Sequence, residues 1–226
     1  VTGCAGGSNG FISISATGGA GGYSYSINGG ASFSSNPNFS NLTAGTYEVW
    51  TMDNLGCLQP YAGNPVIITE PAAMVYSDVT VTEPGCFDSN DGTIEITATG
   101  GTGNLMYSID GGATYQASSL FTGLDAGTYN LVLMDENGCE VAYANNPVVL
   151  DQPNEIVISN VVSTNETCTG GLGSIVITAN GGAGNLRYSI DGGATYQTSN
   201  IFNNLSANTY IVRVKDASNC DQLYAG

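Results

Sequence analysis

The chain has 226 residues, 42% of them hydrophobic, and it carries 19 acidic residues against three basic ones and no histidine. Its only cations are Arg187, Arg213 and Lys215, so the composition argues against nucleic acid and anionic lipid as partners, since both need lysine and arginine opposite their phosphates. No apolar run approaches the roughly 18 residues of a membrane-spanning helix, so no membrane span is expected in this sequence.

The six cysteines fall into two series with a common spacing. The first series recurs every 82 residues, at Cys4, Cys86 and Cys168. The second recurs after 82 and then 81 residues, at Cys57, Cys139 and Cys220. A period this long exceeds that of solenoid repeats, so each copy is predicted to be a domain with its own core. We call these repeat 1 (1–70), repeat 2 (71–153) and repeat 3 (154–226).

Apolar residues alternate with polar ones along each copy, which predicts strands rather than helices. In repeat 2 the alternation marks strands around Ile94–Ile96, Leu105–Ile109 and Tyr129–Leu133, separated by glycine-rich turn signals. Six or seven short strands in about 82 residues predict an all-β immunoglobulin-like sandwich, three times in tandem. The apolar, alternating connections Val66–Val81 and Val148–Val161 predict an elongated array of these domains.

One nine-residue stretch, SIDGGATYQ, stands at 108–116 and again at 189–197, with the looser copy SINGGASFS at 26–34. Asn-Gly and Asp-Gly pairs between apolar runs favour tight turns with positive φ. Hairpin turns are therefore predicted at Asn28, Gly29, Asp110, Gly111, Asp191 and Gly192. A phosphate-binding loop is the alternative, but no lysine follows and no helix is predicted there.

A second turn is predicted before the tyrosine strand of each copy. Its equivalent positions hold Gly45, Gly127 and Asn208, and glycine and asparagine are the residues that best tolerate a left-handed backbone.

Each copy contains one cysteine of each series, separated by 52 or 53 residues. Zinc would need four ligands, and the chain offers no histidine and no Cys-x-x-Cys pair. We therefore predict three disulfides inside the repeats, Cys4–Cys57, Cys86–Cys139 and Cys168–Cys220, formed in an oxidising compartment.

No catalytic site is predicted, because the chain lacks histidine and its carboxylate pairs fall in predicted turns. No cofactor is predicted either, although Asp88–Gly92 has part of the pattern of a calcium loop and leaves calcium open as a ligand. The recurring tyrosines alternate along strands as core aromatics do, and a sugar-binding platform is the alternative.

Three segments occur in the same order in every copy. In repeat 2 they are Gly-Gly-x-Gly before Tyr-Ser-Ile-Asp-Gly-Gly, then Phe-x-x-Leu-x-Ala-Gly-Thr-Tyr, then Met-Asp-Glu-Asn-Gly-Cys139. This combination resembles the SprB-type repeat of giant cell-surface adhesins in gliding and related bacteria. The resemblance implies a secreted, tandemly repeated protein of the cell surface, exported by the type IX system and used in adhesion or gliding motility.

Repeat 3 departs from the pattern at Asn208 and at Ala217-Ser-Asn219 before Cys220. In repeat 2, Tyr129 lies ten residues before Cys139 rather than two, so a tyrosine corner is not expected.

Two classes of function fit these observations. The first is the structural shaft of an extracellular fibre or giant adhesin, whose partners are neighbouring repeats or like subunits. The second is a binding module that holds surface glycans or proteins through multivalency. A segment matching Asn64–Thr82 occurs only twice, so repeat 1 is expected to lack its opening strand and repeat 3 its closing strand. The polypeptide is therefore expected to continue in both directions as further units, and a filament subunit whose missing strand comes from a neighbouring subunit is the alternative.

Overall fold

The protein is all-β in the computed structural model, which describes residues 2–165 and 172–225. Repeat 1 contains β1 to β7: Gly10–Ser13, Ser24–Ser26, Asn38–Leu42, Gly45–Tyr47, Trp50–Met52, Leu58–Pro60 and Val66–Ile68. Repeat 2 contains β8 to β15: Val75–Thr82, Gly92–Thr99, Met106–Ser108, Leu120–Leu124, Gly127–Tyr129, Val132–Met134, Glu140–Ala142 and Val148–Leu150. Repeat 3 contains β16 to β21: Val157–Thr164, Gly173–Asn180, Arg187–Ser189, Ile201–Leu205, Arg213–Lys215 and Asp221–Leu223.

Repeat 2 has the two sheets of an immunoglobulin-like sandwich. One sheet has the order β11-β9-β8 and the other the order β10-β13-β14. These correspond to strands E, B and A and strands C, F and G of that fold. The antiparallel register pairs Ile94 with Phe121 in the first sheet and Tyr107 with Leu133 in the second. A short ladder, β12 with β15, completes the repeat.

Repeats 1 and 3 use the same sheets with one difference each. Repeat 3 has β16-β17-β19 and β18-β20-β21, and in the residues described it has no counterpart of the β12–β15 ladder. Repeat 1 has β2-β5-β6 and the ladder β4-β7, but its other sheet contains only β1 and β3 within the described part of the chain. The predicted all-β class and the tandem immunoglobulin-like pattern are thus confirmed.

The inward-facing residues of the alternating strands form the cores. In repeat 2, Ile94, Ile96, Leu131 and Leu133 are at most 1% exposed, and burial alternates along β9 as the period of a strand predicts. In repeat 3 the buried cluster consists of Ile156, Ile175, Ile177, Val212 and Val214. The cluster of repeat 1 has only Ile12, Val49 and Ile68 as buried members. Among the described residues, the cluster of repeat 1 thus has fewer buried members than the cluster of repeat 3.

Contacts between Cα atoms divide the chain into two compact units rather than three. The first comprises Val1–Asp78, Ile96–Ser119 and Asn130–Asn146. The second comprises Val79–Glu95, Leu120–Tyr129 and Pro147–Gly226. Repeat 2 thus contributes residues to both units. No helix in the described residues is long and apolar enough to cross a membrane.

The left-handed turn is not where the sequence pattern predicts it. A positive φ is not found at Gly45, Gly127 or Asn208. It occurs four residues earlier, in the preceding strand of each repeat, at Asn41 (58°), Gly123 (73°) and Asn204 (61°). In repeat 2 the pairing register shifts between Thr122 and Leu124, so Gly123 is the extra residue of a β-bulge. A bulge residue without a ladder partner can adopt the left-handed conformation, which explains the shift.

A tyrosine corner is present in every repeat, contrary to expectation. Each hydroxyl donates a hydrogen bond of 2.8 Å to the backbone carbonyl four residues upstream: Tyr47 to Thr43, Tyr129 to Asp125 and Tyr210 to Ser206. The prediction was wrong because it relied on the spacing between the tyrosine and the second-series cysteine. This cysteine does not occupy the position that the conserved cysteine has in antibody domains.

Candidate functional site

The disulfides join successive repeats. Cys4 is bonded to Cys139 and Cys86 to Cys220, with Cα atoms 5.8 and 5.6 Å apart. The predicted pairs Cys4–Cys57, Cys86–Cys139 and Cys168–Cys220 are therefore wrong. Cys57 is a free, exposed thiol, and Cys168 itself lies outside the described residues.

Both bonds follow one rule: a first-series cysteine pairs with the second-series cysteine of the next repeat. The reason is the packing of the loops, since the turn before β14 meets the segment before β1. The Cys139 sulfur lies 3.5 Å from the carbonyl oxygen of Gly3, and the Asn137 side-chain amide donates to the same oxygen at 2.8 Å. Each bond lies inside one compact unit.

A buried aspartate shapes the turn that presents each second-series cysteine. Asp135 is 3% exposed, and its carboxylate accepts hydrogen bonds of 2.9 Å from the backbone amides of Thr102, Asn137 and Cys139. Burial raises the pKa of Asp135, but the three amides outweigh it, and the net shift is downward. The charged side chain therefore ties the glycine-rich loop at 100–104 to the cysteine turn.

The other repeats contain the same arrangement. Asp216 accepts from the amides of Ala183 and Cys220 at 2.7 and 3.0 Å. Asp53 accepts hydrogen bonds from the amide of Ala20 at 3.1 Å and from that of Cys57 at 2.9 Å. These backbone hydrogen bonds lower the pKa of Asp53, and the one from Ala20 has the largest effect. The turn around Cys57 thus has the hydrogen bonds that its disulfide-bonded counterparts have.

The segment that joins two repeats lies on the glycine-rich loop. The amide of Gly101 donates to Ala72 at 2.8 Å, and the amide of Gly182 donates to Asn154 at the same distance. Gly100 has a φ of +87°, and a Cβ there would lie 1.9 Å from the carbonyl oxygen of Ala73. Only glycine fits this position, because it avoids both the strained backbone and the clash. The joining segments are therefore held by the repeat that follows them.

Apolar side chains of the joining segment enter the core of the following repeat. Met74 and Ile156, at equivalent positions, are 7% and 6% exposed. Two residues later, the Tyr76 ring lies 4.9 Å from the Tyr143 ring, and its hydroxyl donates to the Val141 carbonyl at 3.2 Å. Burial raises the pKa of Tyr76 to about 12.

Polar contacts repeat at both junctions. The Glu70 carboxylate accepts a hydrogen bond from the Gly6 amide at 2.6 Å. At the equivalent position, the side-chain Oε1 of Gln152 accepts from the Asp88 amide at 2.9 Å. A charged and a neutral side chain therefore serve the same position, which identifies the contact as a structural hydrogen bond rather than a charge-specific site.

The three predicted hairpin-turn motifs lie in eight-residue loops. In repeat 2, Tyr107 and Gln116 exchange both backbone hydrogen bonds, at 2.8 and 2.9 Å, so the chain reverses over 108–115 rather than over two residues. Asp110 anchors the loop by accepting hydrogen bonds from the Ser108 hydroxyl and the Thr114 amide. Its pKa is lowered by hydrogen bonds, of which the one from the Thr114 side chain has the largest effect. Gly111 has a φ of 77°.

Its counterparts behave in the same way. Asp191 accepts from Ser189 and Thr195, and Asn28 accepts from Ser26 and from the amide of Ser32. The glycines that follow, Gly192 and Gly29, have φ values of 76° and 72°.

The recurring tyrosine of this loop uses its hydroxyl within the fold. Tyr115 donates to Glu140 and Tyr196 to Asp221, both at 2.9 Å. Burial, followed by the carboxylate contact, raises the pKa of each tyrosine to about 12. In repeat 1 the two positions hold Phe33 and Leu58, an apolar pair in place of the polar one. The residue at the tyrosine position and the residue at the partner position thus change together, from a polar pair to an apolar pair. The sequence pattern alone did not reveal this contact.

The loop Asp88–Gly92, which has part of the pattern of a calcium loop, uses its acids for local hydrogen bonds. Asp91 accepts from the Gly85 amide at 3.0 Å and from the Ser89 hydroxyl at 2.6 Å, and the Ser89 contact is the main cause of its lowered pKa. Asp88 has a φ of 53°. Within the described residues, no three acidic or cysteine side chains come together as metal ligands.

A family model described as SprB repeat matches the chain three times, at residues 3–32, 79–114 and 160–195. Each match runs through the first-series cysteine position, the glycine-rich loop and the SIDGG or SINGG motif. No curated protein matches the chain.

Proposed function

Because the chain is a SprB-type repeat protein, which together with the two disulfides in its described part indicates a protein of the cell surface, we propose that it forms the structural shaft of an extracellular fibre or giant adhesin. The observation that carries this proposal is the pairing of cysteines across repeat borders. Export by the type IX system and a role in adhesion or gliding belong to the same proposal. No catalytic activity is proposed.

Cross-repeat bonds suit a structure under tension. When the chain is pulled between Cys4 and Cys220, the shortest covalent path crosses the first disulfide, follows the 53 residues from Cys139 back to Cys86, and crosses the second. At about 3.5 Å per residue, the unfolded path extends to about 190 Å, against about 760 Å in the reduced chain. The disulfides therefore limit how far a shaft lengthens when its domains unfold.

Single-molecule force spectroscopy tests this design. We expect the fully extended length between these cysteines to be about 190 Å in the oxidised protein and about 760 Å in the reduced protein. The Cys4→Ser/Cys139→Ser variant keeps only Cys86–Cys220, so its path is the 82 residues from Cys4 to Cys86 and its extension about 290 Å. An extension of about 570 Å for that variant would indicate pairing within repeats and contradict the proposal.

A multivalent binding module is the competing function. The best candidates for ligand-binding residues are Tyr115 and Tyr196. Their hydroxyls donate hydrogen bonds to Glu140 and Asp221 within the fold, which favours a structural role for both tyrosines. A glycan array screened with the purified chain separates the two functions. Reproducible binding that is lost in Tyr115→Ala or Tyr196→Ala variants would count against a plain shaft.

A further inference from the structure

The three cations of the chain lie on one face of one sheet in repeat 3. Arg187 belongs to β18, and Arg213 and Lys215 belong to β20. Val214, which separates the two cations of β20, is fully buried, so both cations lie on the face turned away from the core. The antiparallel register pairs Arg187 directly with Lys215, and residues paired in this way share a face. We call this surface the basic face of repeat 3.

Neighbouring side chains engage two of these cations and leave the third. Arg213 forms an ion pair with Asp221. The Lys215 ammonium lies 4.4 Å from the centroid of the Tyr196 ring, within the range of a cation–π contact. Arg187 is exposed, and among the described residues its guanidinium has no hydrogen-bond or ion-pair partner. The basic face therefore has three positive charges, of which one ion pair with a carboxylate compensates only one.

The basic face is a property of repeat 3 and not of the fold. The strand pairs that carry it, β18 with β20, correspond to β10 with β13 and to β2 with β5. The equivalent positions hold Met106, Val132 and Met134 in repeat 2 and Ser24, Trp50 and Met52 in repeat 1. Because neutral side chains serve there, the sheet does not need cations at these positions to form.

The acidic residues of the chain are concentrated in a different repeat. Repeat 2 contains 11 acidic residues and no basic one, repeat 1 contains three and none, and repeat 3 contains five and three. The net charges of repeats 1, 2 and 3 are thus −3, −11 and −2. Several carboxylates of repeat 2 are exposed and have no hydrogen-bond partner among the described residues, including those of Glu83, Glu95 and Asp151.

We propose that the basic face of repeat 3 binds the acidic surface of repeat 2 in a second copy of the chain. The chain itself supplies the complementary charge, and this complementarity selects the partner and its orientation. Because salt screens charges beyond about 8 Å at physiological ionic strength, the facing patches decide the contact although each copy is acidic as a whole. This contact between copies goes beyond the shaft function and does not depend on it.

The contact joins two different surfaces, so it is heterologous. Each bound copy still has either a free basic face or a free acidic repeat, and a further copy can bind there. Association is therefore expected to continue beyond a dimer as the protein concentration rises, and to weaken as salt is added.

Sedimentation velocity of the intact oxidised chain tests the proposal. In about 20 mM NaCl we expect the average mass to exceed that of one chain and to rise with concentration, and in about 500 mM NaCl to equal that of one chain. Arg187→Glu is expected to weaken association about tenfold in low salt. Its control is Thr178→Glu/Asn203→Glu, which changes the net charge by the same amount at exposed positions of the other sheet, β16-β17-β19.

A variant of repeat 2 gives an independent test with the opposite change of net charge. Glu83→Gln/Glu95→Gln/Asp151→Asn makes the chain less acidic, which would promote association if general repulsion controlled it. The proposal expects weaker association instead, because the acidic surface that receives the basic face is lost.

Circular dichroism verifies that each variant is folded. A chain that stays monomeric in low salt overturns the proposal, including one that remains monomeric while it binds a polyuronate, since the basic face would then serve an acidic polysaccharide. Equal association of Arg187→Glu and its control overturns it as well. So does stronger association of the repeat 2 variant.

Discussion

At the residue scale, the buried aspartates connect the pattern of the sequence to the disulfides. Asp135 lies four residues before Cys139, and its carboxylate receives the Cys139 amide, so the side chain sets the direction in which the thiol leaves the turn. The same spacing recurs at Asp53 and Asp216. The acid was visible in the sequence as part of a turn, but its burial was not, because that depends on the distant amide of Thr102.

Replacing Asp135 by asparagine is expected to destabilise the protein by about 1–3 kcal/mol at pH 7, because one carboxylate oxygen becomes an NH₂ group facing an amide donor. The folded-state pKa of Asp135 is lowered from 3.8, so its contribution is present above pH 4 and is lost as the pH falls through the folded pKa. Urea unfolding from pH 7 to pH 2.5 should therefore show the difference between the two proteins narrowing below pH 4.

The exposed carboxylate Asp151 provides the control for this experiment. Asp151→Asn should change the free energy of unfolding by less than about 0.5 kcal/mol at every pH. A constant difference between wild type and Asp135→Asn down to pH 2.5 would contradict the role assigned to the charge.

At the element scale, alternation was sufficient to place the strands but not their irregularities. Ile94 and Ile96 belong to β9 and face the core as the period of two predicts. The bulge at Gly123 was missed because the sequence offered two glycines, Gly123 and Gly127, and local propensity does not tell which one lacks a ladder partner. Strand pairing across the sheet decides this, and pairing is a property of the folded chain.

The joining segments give the prediction at this scale. Gly100→Ala combines a left-handed backbone, which costs about 1–2 kcal/mol, with a clash against the Ala73 carbonyl that adds about 1–3 kcal/mol. Gly18→Ala has the same φ of +87° but open space, so only the backbone cost applies. Urea unfolding should rank Gly100→Ala as clearly less stable than Gly18→Ala. Equal losses in the two variants would show that the joining segment does not rest on this loop.

At the scale of the whole molecule, the repeat itself hid the disulfide pairing. Because every first-series cysteine is followed by equivalent second-series ones, the period allows pairing within a repeat or with the next repeat equally well. Proximity along the chain favoured the shorter loop, and the structure has the longer one, with sequence separations of 135 and 134 between the partners. The contacts of Gly3 with Asn137 and Cys139, which select the longer loop, involve no recognisable motif.

The last prediction follows from the length of these loops. Restricting a loop of 135 residues in the unfolded chain stabilises the folded state by about 4–5 kcal/mol in the loop-closure model, so Cys4→Ser/Cys139→Ser should lose roughly that amount. Cys57→Ser removes a thiol without removing a bond and should leave the free energy of unfolding within about 0.5 kcal/mol of wild type. Urea unfolding measures both, and mass spectrometry of non-reduced peptides, cut after acidic residues because residues 1–186 contain no site for trypsin, identifies the partners directly. A peptide containing Cys4 joined to Cys57, together with a stability loss in Cys57→Ser, would overturn the cross-repeat pairing; Cys4 joined to Cys139, with Cys57 carrying a free thiol, is the result expected.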